Sequence, residues 1–254
     1  MAGLSTPVLV LLGLFGLVGG VGITALGPGG VLPTIGLFAL TGLSSAEVAG
    51  TAIVTHVATG ALATAAYTRS GQLRDPETRR SALILCATAL AGTPLGVLIN
   101  TVVSKRVFGL VLAVFVTLVA VLVWLRERRE PAGTAAHPPM ALVGGTGFAV
   151  AVASGIVGIG GPMLTVPLLI AFGVPVLESL AAAQAQSIVI AAVGTVGYLA
   201  HGAINWPLTA LVGIPELAGV LLGWKIAHAV PTRGLKYALV AALLAVAPYL
   251  ALHG

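Results

Sequence analysis

The first 68 residues carry one charged side chain, Glu47, and the first basic residue is Arg69. A water-facing surface cannot be built from such a stretch, because soluble domains carry roughly 25% charged residues. The whole chain has 254 residues, of which 58% are hydrophobic and 7% charged, and its mean hydropathy is +1.10. Its natural solvent is lipid, and the sequence reads as an all-α integral membrane protein. A secretory leader needs a basic start before its apolar run, so residues 1–26 read as a retained membrane segment. The lone Cys86 lies in an apolar run and reads as a buried filler. The net charge of +5 points to basic loops on a cytoplasmic face rather than to nucleic acid.

A spanning helix needs about 20 apolar residues. Suitable runs lie near 7–26, 46–68, 81–103 and 107–125, and again near 140–157, 179–200, 207–224 and 235–252. Two shorter apolar pieces, 31–43 and 162–173, follow the glycine-rich stretches GPGG (27–30) and GIGG (158–161). The polar stretch 126–139 separates a first membrane repeat (1–125) from a second (140–254). One offset of 131 positions pairs Gly27 with Gly158, Gly29 with Gly160 and Gly30 with Gly161. Without a gap it also pairs Thr34 with Thr165, Glu47 with Glu178, Tyr67 with Tyr198, Pro76 with Pro207 and Lys105 with Lys236. Such a register marks an internal duplication.

Basic residues cluster in 69–80 (Arg69, Arg74, Arg79, Arg80), in 126–130 (Arg126, Arg128, Arg129) and in 225–236 (Lys225, Arg233, Lys236). Placing these three inside leaves Lys105 and Arg106 outside. Matching loops of the two halves then face opposite sides, as in inverted-repeat transporters, which requires an odd number of crossings per half. That holds if 31–43 and 162–173 cross with their preceding helices as broken elements. If they turn back as re-entrant pieces, the count becomes four and the repeat parallel. The inverted arrangement is the expectation.

The glycine clusters admit two readings. Glycines in membrane helices permit close packing, as expected for Gly16 and Gly20. Alternatively, each cluster ends one helix and starts another, with Pro162 suited to an opening turn. A helix start presents free N–H groups and partial positive charge, and two facing one cavity would hold an anion without Lys or Arg. Broken backbone at membrane depth survives only inside protein or beside a wet cavity. On this reading Gly27, Gly29, Gly30, Gly158, Gly160 and Gly161 are candidate substrate-binding residues. No phosphate-loop motif is present, so nucleotide-driven transport is unsupported.

The duplicated Gly-x-Gly-Gly clusters, the A-x-G-T-S-like opening of the following helix, and Tyr67–Gly71 with Tyr198–Gly202 and the ending HGAINW resemble the sulfite exporter TauE/SafE family. The resemblance covers nearly the whole chain. It implies transport of small anions, such as sulfite or sulfonates, across the bacterial inner membrane. Two stretches depart from the pattern: EVAGTA keeps Gly50 and Thr51 but has Ala52, and LAAAQAQS carries Gln184 and Gln186.

Thr51, Thr55 and Thr59 recur on one helix face beside His56, and the repeat register places Thr55 opposite Gln186 and His56 opposite Ser187. The threonine hydroxyls can equally bond back to their own helix. Polar residues at membrane depth are costly unless partnered or facing water, so Thr51, Thr55, His56, Gln184, Gln186 and Ser187 join the candidate site. His56 is also the proton-coupling candidate. Glu47 and Glu178 each precede an apolar helix and read as helix-start complements. Tyr67, Tyr198, Trp124 and Trp206 read as interfacial anchors, and Lys225 as a snorkelling side chain. His137, His228 and His253 are scattered and suggest no metal site, and no cofactor is expected. The expected function is a secondary transporter, an exporter of a small sulfur anion driven by an ion or proton gradient. Its partners are that anion, the bilayer and a second copy of the chain as a candidate homodimer, with no nucleic acid. The alternatives are a non-transporting scaffold or sensor, and an intramembrane enzyme. The latter lacks an evident nucleophile, carboxylate pair or metal set.

Overall fold

A computed structural model describes residues 4–25, 28–128 and 138–229, together with Ala241, Leu244 and Pro248. Within these the chain is helical: α1 (Thr6–Ala25), α2 (Val31–Leu40), α3 (Ser45–Arg69), α4 (Pro76–Val102), α5 (Lys105–Arg128), α6 (Met140–Val157), α7 (Pro162–Ala171), α8 (Val176–Ala200) and α9 (Trp206–Ala229). Seven of these are long and apolar enough to cross a membrane, and α2 and α7 are the shorter apolar pieces. The chain is a multi-pass membrane protein. The bounds of α2 and α7, and of α3 and α8, are related by the same 131-residue offset. The expected helix at 235–252, Lys236 and most of the 126–139 linker lie outside the described residues, as do Gly27, His137 and His253 and the side chain of His228.

Local signals set the starts. Ser44 and Glu47 form a reciprocal capping box at α3, with Ser44 N donating to Glu47 Oε2 at 2.9 Å, so Glu47 complements a helix N-terminus as expected. Asp75 accepts from Thr78 N at 2.8 Å ahead of Pro76 at the start of α4. Pro162 opens α7.

The direction of each helix follows from its contacts. A β-carbon built on Gly22 would meet Gly29 Cα at 2.7 Å; one on Gly19 would meet Pro33 Cδ at 2.8 Å, and one on Gly36 would meet Phe15 Cγ at 2.9 Å. As α1 runs forward α2 therefore runs back, and the pair is a hairpin whose tip is the first glycine cluster. Gln186 bridges Gly147 on α6 and Thr165 on α7, which ties the second hairpin in the corresponding way. The α3–α8 pair is antiparallel, with Gly60, Ile53 and Gly50 packed against Ile188, Gly194 and Tyr198 respectively. Helices α1 and α3 run parallel to α9, and α4 runs parallel to α6 and α8.

These directions agree with the inverted arrangement but change how it arises. The short pieces do turn back. Their preceding helices go with them, so α1–α2 enters and leaves by one face while α3, α4 and α5 cross. Three crossings remain odd, and the corresponding helices α3 and α8 point in opposite directions. The second hairpin, α6–α7, enters from the other face. All described residues of the three basic clusters lie toward that second face: exposed Arg69, Arg74, Arg79, Arg80 and Lys225, with Arg126 and Arg128 at the end of α5. Lys105 and Arg106 lie at the first face, where Lys105 sits 5.5 Å from the Phe38 ring at the end of α2.

Close backbone approach holds the scaffold together. β-Carbons on Gly16 and Gly20 would fall 2.2 and 2.0 Å from the carbonyl oxygens of Val212 and Glu216 on α9, so these glycines are packing residues as expected. Two expectations fail. Tyr198 is not interfacial: it is fully buried and donates from its hydroxyl to Gly155 O at 2.6 Å. Cys86 is half-buried rather than buried. Trp206 and Trp124 are exposed.

Candidate functional site

Each hairpin tip stops at the mid-height of the α3–α8 pair. A β-carbon on Gly30 would lie 3.0 Å from His56 Cε1, and His56 sits near the midpoint of α3. A β-carbon on Gly160 would lie 2.5 Å from Ser187 Oγ and 3.7 Å from His56 Cγ, and Ser187 sits near the midpoint of α8. Thr34 on α2 donates to Gly158 O at 3.3 Å, which ties one hairpin to the other. The two breaks therefore meet in the middle of the bundle, having entered from opposite faces.

Between them lies a small cavity lined by Gly30, His56, Thr59, Gly160, Gln184 and Ser187, with Ile23, Pro162 and Met163 as its apolar wall. Two of its polar atoms, His56 Nε2 and Gln184 Nε2, are buried without a hydrogen-bond partner. Leaving such groups unpaired costs about 1–3 kcal/mol each; the Gln184 amide offers N–H to an acceptor there, and His56 Nε2 does so when it carries a proton. The α7 helix starts at Pro162 on the cavity wall and adds the partial positive charge of its N-terminus. Among the described residues no Lys or Arg lines the cavity. The space admits little more than a water molecule, so a larger occupant enters only when the hairpins part.

Of the residues expected at the site, Gly30, His56, Gly160, Gln184 and Ser187 converge there. The others are placed elsewhere. Gly27 lies outside the described residues. Gly29 is wedged against Gly19 and Gly22. Gly158 ends α6 with φ +77°, a left-handed turn that favours glycine, and lies on the backbone of Ala49. Gly161 backs onto Gln186, whose Oε1 accepts from Thr165 Oγ1 at 2.6 Å and whose Nε2 donates to Gly147 O at 3.1 Å. Gln186 is thus fully engaged in tying α6, α7 and α8 together. Thr55 donates to Ala52 O at 2.9 Å, the bond back to its own helix. Thr51 accepts from Asn205 N at 3.0 Å, and its carbonyl accepts from Thr209 Oγ1 at 3.2 Å. With Gly50 against Ala203 O, that contact makes the AGT and HGAINW motifs two sides of one joint.

Glu216 was not among the expected residues. It is fully buried on α9, and its Oε1 lies 3.4 Å from His56 Nδ1. It is the one acid in the run Trp206–Gly223, and an acid inside a spanning run was the signal available. The repeat register conceals it, because Leu85 occupies the corresponding position. Among the described residues no group of three or more His, Cys, Asp or Glu could hold a metal ion.

The model of the sulfite exporter TauE/SafE family matches residues 12–250. No curated protein and no solved structure matches the chain. The family match takes in both hairpins, both central helices and the cavity between them, and by that match the chain belongs to the sulfite exporter TauE/SafE family of membrane transporters.

Proposed function

We propose that the chain is a secondary transporter that exports a small sulfur anion, such as sulfite or a sulfonate, across the bacterial inner membrane, driven by an ion or proton gradient. The observation that carries this reading is the meeting of two opposed hairpin tips at one buried cavity, where His56 Nε2 and Gln184 Nε2 stand unpartnered. Donors aimed into a cavity without Lys or Arg suit an anion that must be released as readily as it is bound. A permanent cation there would be costly at membrane depth and would hold the anion too well.

Opposed hairpins also supply the two gates. Drawing α1–α2 aside opens the cavity to the first face, and drawing α6–α7 aside opens it to the basic face, around a site that stays on α3 and α8. The Thr34–Gly158 bond is a direct tie between the hairpins, and it is a neutral bond that such a motion can break.

The test is flux of sulfite and of isethionate into vesicles carrying the purified chain. Gly160→Val fills the cavity and should reduce flux at least about tenfold. Gly145→Val serves as the control, because a β-carbon there meets nothing within 4 Å. Equal flux in the two variants would remove the site from the hairpin tips. Ligand-dependent signalling or stabilisation without flux would favour a sensor instead.

A further inference from the structure

We infer that Glu216 and His56 form one protonatable pair that ties occupancy of the hairpin-tip cavity by an anion to uptake of a proton, an inference that rests on the anion-transport reading above. The geometry is a relay of two contacts on one ring. His56 Nδ1 lies 3.4 Å from Glu216 Oε1, while Nε2, on the opposite side of the imidazole, is unpartnered at the cavity. Both side chains are buried, and the Thr55 hydroxyl, which donates to Ala52 O at 2.9 Å, lies beside the Glu216 carboxylate.

Among the described residues no other charge faces the pair. Helices α1, α2, α6 and α7 contain no ionisable side chain. On α3, Glu47 is held in its capping box and Arg69 is exposed at the far end. On α8, Glu178 lies in the first turn and Tyr198 is bonded to Gly155 O. On α4, Glu77, Arg79 and Arg80 sit in the first turns and Cys86 is half-buried; on α5, Lys105 and Arg106 lie at the first face. The next described ionisable residue on α9 with a placed side chain is Lys225, which is exposed. Among the described residues the charge beside the cavity is therefore set by the pair alone.

With Glu216 ionised and His56 neutral, the pair is negative and repels an anion. One proton makes it neutral overall and leaves Nε2–H facing the cavity, whether that proton rests on the carboxyl and is donated to Nδ1 or rests on the ring. An anion binding there stabilises the protonated pair, and by linkage the protonated pair binds the anion more tightly. Proton and anion then occupy the protein together and move in the same direction, so on this inference export draws on the anion's own outward gradient or on another ion, not on an inward proton gradient.

The experiment is calorimetric binding of isethionate and sulfate to the full chain in lipid nanodiscs, from about pH 5.5 to about pH 8.5, a range that brackets the ordinary histidine value. Both probes keep a fixed charge over that range. Two buffers of different ionisation heat give the protons taken up per anion. If sulfite alone binds, its own titration is subtracted. Uptake approaching one proton per anion is expected, with affinity falling about tenfold per pH unit on the alkaline side. Glu216→Gln removes the negative charge, so it should bind as well or better at high pH and flatten the profile to less than about twofold per unit. Anion binding without proton uptake by the unaltered chain overturns the inference, whether or not the variant folds. So does a Glu216→Gln chain weakened equally at every pH, which is the signature of a packing role. Absence of binding by isethionate, sulfate and sulfite at every pH overturns the anion reading itself.

Discussion

His56 is the residue on which the site turns, because one ring touches the cavity, the first hairpin tip and the acid on α9. Its neighbours are small for a geometric reason: a β-carbon at Gly160 would lie 2.5 Å from Ser187 Oγ and 3.7 Å from His56 Cγ, at the cavity between the tips. Gly160→Ala should therefore lower the affinity for sulfite about tenfold or more while leaving the unfolding midpoint within a few degrees of the parent. Paired binding and thermal-melt measurements check both halves of that statement, and a lowered midpoint with intact binding would contradict it. Tyr198 separates structural from functional polarity. Tyr198→Phe leaves Gly155 O without its donor and should cost about 1 kcal/mol of stability with transport retained, as read from chemical unfolding and vesicle flux. Much of this scale was legible in the sequence. His56, Gln184 and Ser187 stand out as polar residues in apolar runs, and the repeat register keeps the 56/187 position polar in both halves. Glu216 was not legible that way, because averaging hydropathy over its run hides one acid and the register offers it no counterpart. Nor does the sequence tell a glutamine that faces a cavity from one that ties helices together. Gln184 and Gln186 differ in that respect only through the rotation of α8.

At the scale of elements, the hairpins and the helices that clasp them form the working unit. Helix α1 lies along α9 through glycines whose absent side chains admit the opposing backbone. Gly20→Val places atoms where the Glu216 carbonyl stands, and should destabilise the bundle by about 1–3 kcal/mol, or block assembly outright. A fall in monodisperse yield and in the melting midpoint would register either outcome. Because Glu216 lies on the displaced turn of α9, the same variant should also disturb anion binding. Helix extents were readable because lipid demands apolar runs of fixed length. The run at 46–68 becomes Ser45–Arg69, and the break at 158–161 ends in a helix opened by Pro162. What the runs could not carry is the direction of α2 and α7. A short apolar piece after a glycine turn is compatible with crossing onward or folding back, and only contacts such as Gly22 with Gly29 decide between them.

At the scale of the whole molecule, two hairpins enter from opposite faces and the central helices α3 and α8 cross in opposite senses. The charge distribution orients that framework: Arg69, Arg74, Arg79 and Arg80 share a face with the end of α5, and the positive-inside rule places it in the cytoplasm. In a Cys86→Ala background, a cysteine replacing Arg74 should react with an impermeant thiol reagent only in inside-out vesicles. One replacing Gly202 should react only in right-side-out vesicles, since these two exposed turns close opposite ends of the bundle. Labelling of both from one side would dismantle the inverted arrangement. The central claim is narrower: one anion sits where the two tips meet. The most direct measurement is anomalous diffraction from crystals of the full chain grown with selenite, a heavier analogue of sulfite. The account predicts a selenium peak between Gly30 and Gly160, within hydrogen-bond reach of His56 Nε2 and Gln184 Nε2. A selenium peak elsewhere, with the space between the tips vacant in a chain that binds selenite in solution, would contradict it.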